Sequence, residues 1–466
     1  MPLHQEAHPT RSTEEIDVRP QFCRPGETGT VPRFRMPERS MSPETAYQIV
    51  HDELMLDGNA RLNVATFVTT WMEPVADVLM AECSSKNMID KDEYPQTAEL
   101  EMRCLNMLAD LWGSTDAGGG RATGCSTTGS SEACMLGGMA LKWRWRERRR
   151  TTGQPTGTPN LVMGTNVQVC WDKFCRYWEV EPRLVPVGDG GATHLTADRA
   201  ASACDENTIG VVAILGSTFD GTYEPVAEIA AALDALESRS GINVPIHVDA
   251  ASGGFIAPFI DQDLVWDFRV PRVQSINSSG HKFGLVYPGV GWIVWRDADA
   301  LPEDLVFKVD YLGGEMPTFA LNFSRPGAQV AAQYYSFLRL GQEGYRRIQQ
   351  ACRDTARWLA SGIAEIGPFE LVSDGSALPV IAFSVKDGAG FSVYDVSDGL
   401  RARGWQVPAY PFSPDLEDLH VLRIVVRNGF SRDLGAMLRG DIERVVATLQ
   451  RHGGRPADEH RAGFHH

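Results

Sequence analysis

The chain has no CxxC pair, and its nine cysteines, an odd number, are scattered without a matching His/Cys cluster. No metal is expected, neither as structural zinc nor elsewhere, and no disulfide framework. No apolar run approaches the roughly 20 residues that span a bilayer. The first residues, MPLHQEAHPTRSTEE, lack the apolar stretch of a signal peptide, so a reducing cytoplasmic setting is expected. Basic charge is in deficit: 44 Lys and Arg against 60 Asp and Glu give a net charge of −16, which disfavours nucleic acid and anionic membrane as partners. The one basic run, KWRWRERRR at Lys142–Arg150, closes an apolar helical stretch, where cations complement the helix dipole. No internal repeat is present.

What is there is a globular composition, 43% hydrophobic and 22% charged, long enough for more than one domain. Residues 1 to about 40 are rich in Pro, Arg, Glu and Thr without an apolar period, and read as a mobile arm or a segment ordered by a neighbouring subunit. Helical spacing covers Pro43–Leu56, Glu73–Met80 and Thr97–Leu111. After Pro159, short apolar runs (NLVMG, TIGVVAILGS, VPIHVDAA, VQSINSS, VGWIVWR) alternate with helical patterns. That alternation predicts an α/β fold with a mostly parallel sheet in a large domain. A helix over Tyr345–Glu365 and strands such as PVIAFSV and LRIVVRN predict a small α+β C-terminal domain. The expected division is an arm and helical segment over 1–62, a large domain over 63–350 and a small domain with a flexible tail over 351–466.

Ligands of such sheets gather beyond the carboxyl ends of the strands, where Gly216-Ser217-Thr218, Asp249-Ala250-Ala251 and Ser279-Gly280-His281-Lys282 fall. In SSGHKFG (278–284), Lys282 leaves a strand and enters a loop; by itself such a lysine is either an exposed cation or, if buried beside another cation, an amine neutral enough to attack a carbonyl. Asp249 ends the apolar strand of HVDAASGG and needs a partner there, either a protonated ring nitrogen or a helix cap. In TTGSSEACMLGGMALKW (127–143), Ser130 and Ser131 open a helix of small residues whose free N–H groups suit an anion; a plain helix cap is the alternative. The turn is not the GxxxxGKS pattern of nucleoside triphosphate sites.

These three features, in this order, resemble the fold-type I pyridoxal 5'-phosphate (PLP) enzymes of the aspartate aminotransferase kind. Longer segments are similar to bacterial and plant glutamate decarboxylases from about Pro43 to Phe430: LMLDGNARLNVATF, SSKNMIDKDEYPQTAELEMRCLNMLADLW, GSSEACMLGGMALKWRWR, HVDAASGGFIAPF, SSGHKFGLVYPGVGWIVWR, DYLGGEMPTFALNFSRPG and LRARGWQVPAY. The resemblance implies decarboxylation of L-glutamate to 4-aminobutyrate and carbon dioxide, with PLP as an aldimine on Lys282. It implies Asp249 at the pyridine nitrogen, Gln168 over the ring face, and Thr218 and Ala251 at its remaining edges. Ser130, Ser131, Ser279 and His281 would take the phosphate, and Ser324 of NFSR the phosphate of the adjoining subunit. A dimer would be the minimal active unit and a hexamer the usual assembly.

For the substrate, the resemblance places Arg427 of VVRNGF on the α-carboxylate, with a structural ion pair as the alternative, and Thr66 and Asp90 on the distal carboxylate. Tyr311 or Lys282 would return the proton to the α-carbon. His465 occupies the place of a penultimate histidine that closes the site at neutral pH in some bacterial relatives. Asp172 stands where relatives carry histidine or glutamate, so a pH response through that position is not expected. The tail lacks tryptophan, and calmodulin control is not expected. Proton consumption makes acid resistance an expected role. The cofactor residues alone leave an aminotransferase or another fold-type I lyase open.

Overall fold

The computed structural model describes residues 34–114, 121–309 and 316–454. The described residues up to Asn63 form one unit and Val64–Gly454 another. The first unit contains helix α1 (Pro43–Leu54), begun by a proline and capped by Ser42, whose hydroxyl accepts from Thr45 N at 3.2 Å.

The second unit opens with α2 (Pro74–Glu82) and α3 (Pro95–Leu111), each again started by proline. Then come β1 (Gly124–Thr127), α4 (Ser130–Thr151), β2 (Asn160–Gly164), α5 (Val169–Tyr177), β3 (Glu181–Val185), α6 (Ala197–Ser202), β4 (Thr208–Ile214), α7 (Val226–Ser240), β5 (Ile246–Asp249), α8 (Ala257–Ile260), β6 (Val273–Ser278) and β7 (Gly291–Trp295). The seven strands form one sheet in the order β1-β7-β6-β5-β4-β2-β3. Its pairings are parallel except those of β7, which runs antiparallel to both neighbours. Strand β4, TIGVVAI, is buried at every position, as a parallel sheet covered on both faces requires. Helix α4 lies so close to its neighbours that a Cβ on Gly137 would stand 2.5 Å from the His247 ring on β5, and one on Gly138 2.6 Å from Phe174 on α5. The expected basic run lies at its far end, with Arg148, Arg149 and Arg150 in the last turn.

Beyond the sheet lie the two-stranded β8 (Phe307–Val309) and β9 (Met316–Thr318), and helix α9 (Ala328–Ala364). The helix expected from Tyr345 thus begins earlier: α9 runs through residue 350, broken only by Gly341 at φ 56°, a conformation that glycine adopts without penalty. Then follow β10 (Phe369–Asp374), β11 (Val380–Val385), α10 (Val393–Arg401), β12 (Ala409–Pro411), β13 (His420–Val425) and α11 (Arg432–His452). The four strands make an antiparallel sheet in the order β10-β11-β13-β12. Among the described residues no helix is long and apolar enough to cross a membrane.

Candidate active site

At the carboxyl ends of β4, β5 and β6 and the start of α4 lies a cavity of about 330 Å³. It gathers Ser130, Ser131, Gln168, Thr218, Asp249, Ala251, Ser279, His281 and Lys282, which is every residue expected around the cofactor except Ser324. The parallel register makes the floor. His247 pairs with Ser275 and Asp249 with Asn277, and since side chains two apart share a face, the four polar groups stand side by side. Asn277 Nδ2 donates to Asp249 Oδ1 at 3.0 Å, Ala251 N to the same oxygen at 3.1 Å, and Trp171 Nε1 to Oδ2 at 2.9 Å. Behind Asp249 the buried His247 bonds Ser275 and Asn277 through its two ring nitrogens at 2.7 and 2.8 Å. Burial pushes its pKa down to about 4 against the opposing pull of Asp249, so this imidazole is neutral.

Lys282 is half-buried, and its ammonium meets Ser252 Oγ at 3.2 Å. Burial lowers its pKa; Arg423 acts in the same direction, and Asp249 opposes. The amine therefore has the suppressed basicity that attack on a carbonyl requires. The backbone is pinned from Val64–Thr70: Thr69 N donates to His281 O at 2.7 Å and Thr69 Oγ1 to Lys282 O at 2.6 Å. Phe67 lies between two cations, Lys282 Nζ at 5.2 Å and the Arg423 guanidinium at 4.9 Å from its ring centroid.

The opposite end is an anion cradle. Ser130 and Ser131 are the first two residues of α4, and Ser279 Oγ donates to Ser130 Oγ at 2.7 Å. His281 stacks so close to the turn that a Cβ on Gly129 would stand 3.0 Å from its Cε1. Its Nδ1 is buried without a partner, and burial, reinforced by Lys282, pushes its pKa down to about 4. A buried nitrogen facing an open helix start needs a group supplied from outside the chain. A phosphate at this end, a ring nitrogen at Asp249 and an aldehyde at Lys282 satisfy all three places, so the donor set fits PLP. Gln168 serves a further purpose as the cap of α5, its Oε1 accepting from Cys170 N at 2.6 Å.

The substrate residues are not gathered in this cavity. Arg427 Nη1 donates to Thr70 Oγ1 at 2.8 Å, which sets it on the same Val64–Thr70 segment that carries Thr66. The hydroxyl of Thr66 accepts from Val68 N at 3.0 Å. Ser324 is exposed and accepts from Asn87 Nδ2 at 3.2 Å; Asp90 is three residues further along that loop, its N–H donating to Asn87 O. Tyr311 and His465 lie outside the described residues.

Several site residues escape sequence reasoning. Trp171, Asn277 and Ser252 hold expected residues in place. Cys134 and Cys170 bring two sulfurs within 4.8 Å of the Asp249 carboxylate, and burial drives the Cys134 thiol well above its ordinary range, away from the thiolate a metal needs. Asn166 Nδ2 donates to Glu224 at 3.0 Å beside the cavity. One signal was available: HVD and SIN, on adjacent parallel strands, put His and Asp beside Ser and Asn by alternation alone.

A model of the pyridoxal-dependent decarboxylase conserved domain matches residues 37–386. A glutamate decarboxylase of Aliivibrio fischeri is 57% identical over 94% of this chain and 94% of its own, and one of Petunia hybrida 48% over 94% and 88%. The solved glutamate decarboxylase of Lactobacillus brevis superposes with a TM-score of 0.86 at 45% identity, covering 91% of this chain and 96% of that one. A sphingosine-1-phosphate lyase of Burkholderia pseudomallei, at 23% identity and a TM-score of 0.76, shares the fold.

Proposed function

The chain belongs to the pyridoxal-dependent decarboxylases, and from that premise we propose how it converts L-glutamate to 4-aminobutyrate and carbon dioxide. The observation that carries the reading is the meeting of Lys282, Asp249 and the start of α4 in one cavity. PLP, when bound, supplies an electron sink for the pair left on the α-carbon as carbon dioxide departs. Asp249, fixed by Trp171, Asn277 and the Ala251 amide, keeps a proton on the ring nitrogen. Ser130, Ser131, Ser279 and His281 bind the phosphate; Gln168, Thr218 and Ala251 border the ring. Lys282 presents a desolvated amine for the covalent link and, once released from it, can carry a proton on Nζ to the α-carbon; Tyr311 is the second candidate donor. Arg427 orients the α-carboxylate by a bidentate fork, and Thr66 and Asp90 take the distal one. Ser324 serves the adjoining subunit, which makes a dimer the working unit; the family resemblance adds a hexamer as its assembly, and the absence of an apolar leader or spanning run favours the cytoplasm as its place of work.

The test pairs wild type with Lys282→Ala, given L-glutamate and PLP at mildly acid pH, with carbon dioxide and 4-aminobutyrate followed together. Wild type should release both in equal amounts, and the variant should be slower by at least about a thousandfold. Formation of 2-oxoglutarate in place of carbon dioxide would move the enzyme to the transaminases.

A further inference from the structure

Glu132 sets a problem of charge. It is buried and lines the same cavity as Ser130 and Ser131, where a carboxylate would repel a phosphate unless its lone pairs were committed elsewhere. They are. Oε2 accepts from Thr128 N at 2.8 Å, Thr128 Oγ1 at 3.0 Å and Asn322 Nδ2 at 3.1 Å, and Oε1 accepts from Asn322 N at 3.2 Å. One set of bonds shapes the turn into α4. The other grips the segment Asn322-Phe323-Ser324-Arg325.

That segment is held from its other end as well. Arg325 donates to the carbonyl of Ser126 and, at 2.7 Å, to its hydroxyl. Its guanidinium lies 3.7 Å from Glu101, which accepts from Ser126 N at 2.9 Å. Asn87 closes the frame, accepting from Arg325 N at 3.1 Å and donating to Ser324 Oγ at 3.2 Å. Exposed Ser324 therefore stands between two residues fixed to β1 and to the first turn of α4, the elements that shape this subunit's own phosphate cradle.

We propose that Asn322, held by Glu132, is a positioning residue that sets Ser324, so that the phosphate affinity of one subunit depends on the α4 turn of its neighbour. The inference rests on the reading that Ser324 serves the adjoining subunit. The experiment is a double-mutant cycle on the full-length holoenzyme: Ser324→Ala, Asn322→Ala and the double variant, with the rate of PLP loss on dilution followed by the absorbance of the bound cofactor. A hydrogen bond to a charged group lost from the phosphate should speed release about tenfold in Ser324→Ala. Asn322→Ala should approach the same rate, and the double variant should be no faster than Ser324→Ala alone. A double variant whose acceleration is the product of the two single effects, or an Asn322→Ala protein that holds PLP like wild type, overturns the positioning role. If Ser324→Ala itself changes nothing, the reading of Ser324 falls first and the inference falls with it.

Discussion

The two ends of the cavity are built on opposite principles. At the floor, Asp249 accepts from three N–H groups of its own chain, and from the Cys134 thiol at 3.6 Å, before any ligand arrives. At the phosphate end, His281 Nδ1 has no partner and the α4 start has only hydroxyls and backbone N–H groups to offer. The floor is saturated because a carboxylate in a low-dielectric place must have its lone pairs satisfied and its direction fixed; the cradle is unsaturated because its charge comes with the ligand. Preorganisation at one end and deferred satisfaction at the other give a site whose chemistry is set by the chain and whose closure is set by the cofactor.

The sharpest way to break this contrast is Asp249→Asn, which keeps the shape of the floor and removes its charge. Turnover should fall by more than about a hundredfold while PLP is still held at the phosphate end, measured as kcat alongside cofactor content. If PLP were lost together with activity, the two ends would not be separable. Trp171→Phe is milder: it deletes one of the three N–H donors and keeps most of the aromatic packing. A hydrogen bond to a carboxylate of this kind is worth about 1.5–3 kcal/mol, so kcat should drop about tenfold with the fold unchanged by circular dichroism.

The effect furthest from turnover concerns Glu224, a buried carboxyl that accepts from Ile214 N at 2.7 Å, Asn166 Nδ2 at 3.0 Å and Leu195 N at 3.1 Å. Burial pushes its pKa up to about 7, against these hydrogen bonds. Since the folded value lies above the unfolded 4.5, its contribution is fully present below pH 4.5 and lost as pH rises through about 7, by up to ~3 kcal/mol. His247 and His281, both depressed to about 4, pull the other way over pH 6.5 to 4 because the unfolded chain takes up their protons first. The difference in melting temperature between wild type and Glu224→Gln should therefore change across pH 5 to 7, moving toward wild type as the pH falls. A constant difference would show that Glu224 keeps one protonation state.

How far the sequence carried depends on distance along the chain. Lys282, Asp249 and Ser130 were legible because a strand end and a helix start are local patterns, and the sheet rule brings them together. Trp171 and Asn277 were not, because their value comes from register: Asn277 matters only once β6 has paired with β5 so that it stands beside Asp249. Glu132 is the third residue of α4, and nothing local marks its bonds to Asn322, 190 residues away. Helix boundaries drifted for a simpler reason: proline starts α2 and α3, and α9 tolerates a glycine break that reads as an end.

The single reversed strand, β7, has a consequence for the lysine. Because β7 runs back along β6, with Ser278 facing Trp292, Lys282 rides on a short return between two adjacent strands of one sheet. His281 N bonds Val290 O across that return, and Val286 N bonds Gly280 O. A lysine on a long crossover would sit wherever the intervening helix let it. On a laced bend it inherits the precision of the ladder, so a change of length in a loop elsewhere in this chain would leave the amine in place relative to Asp249.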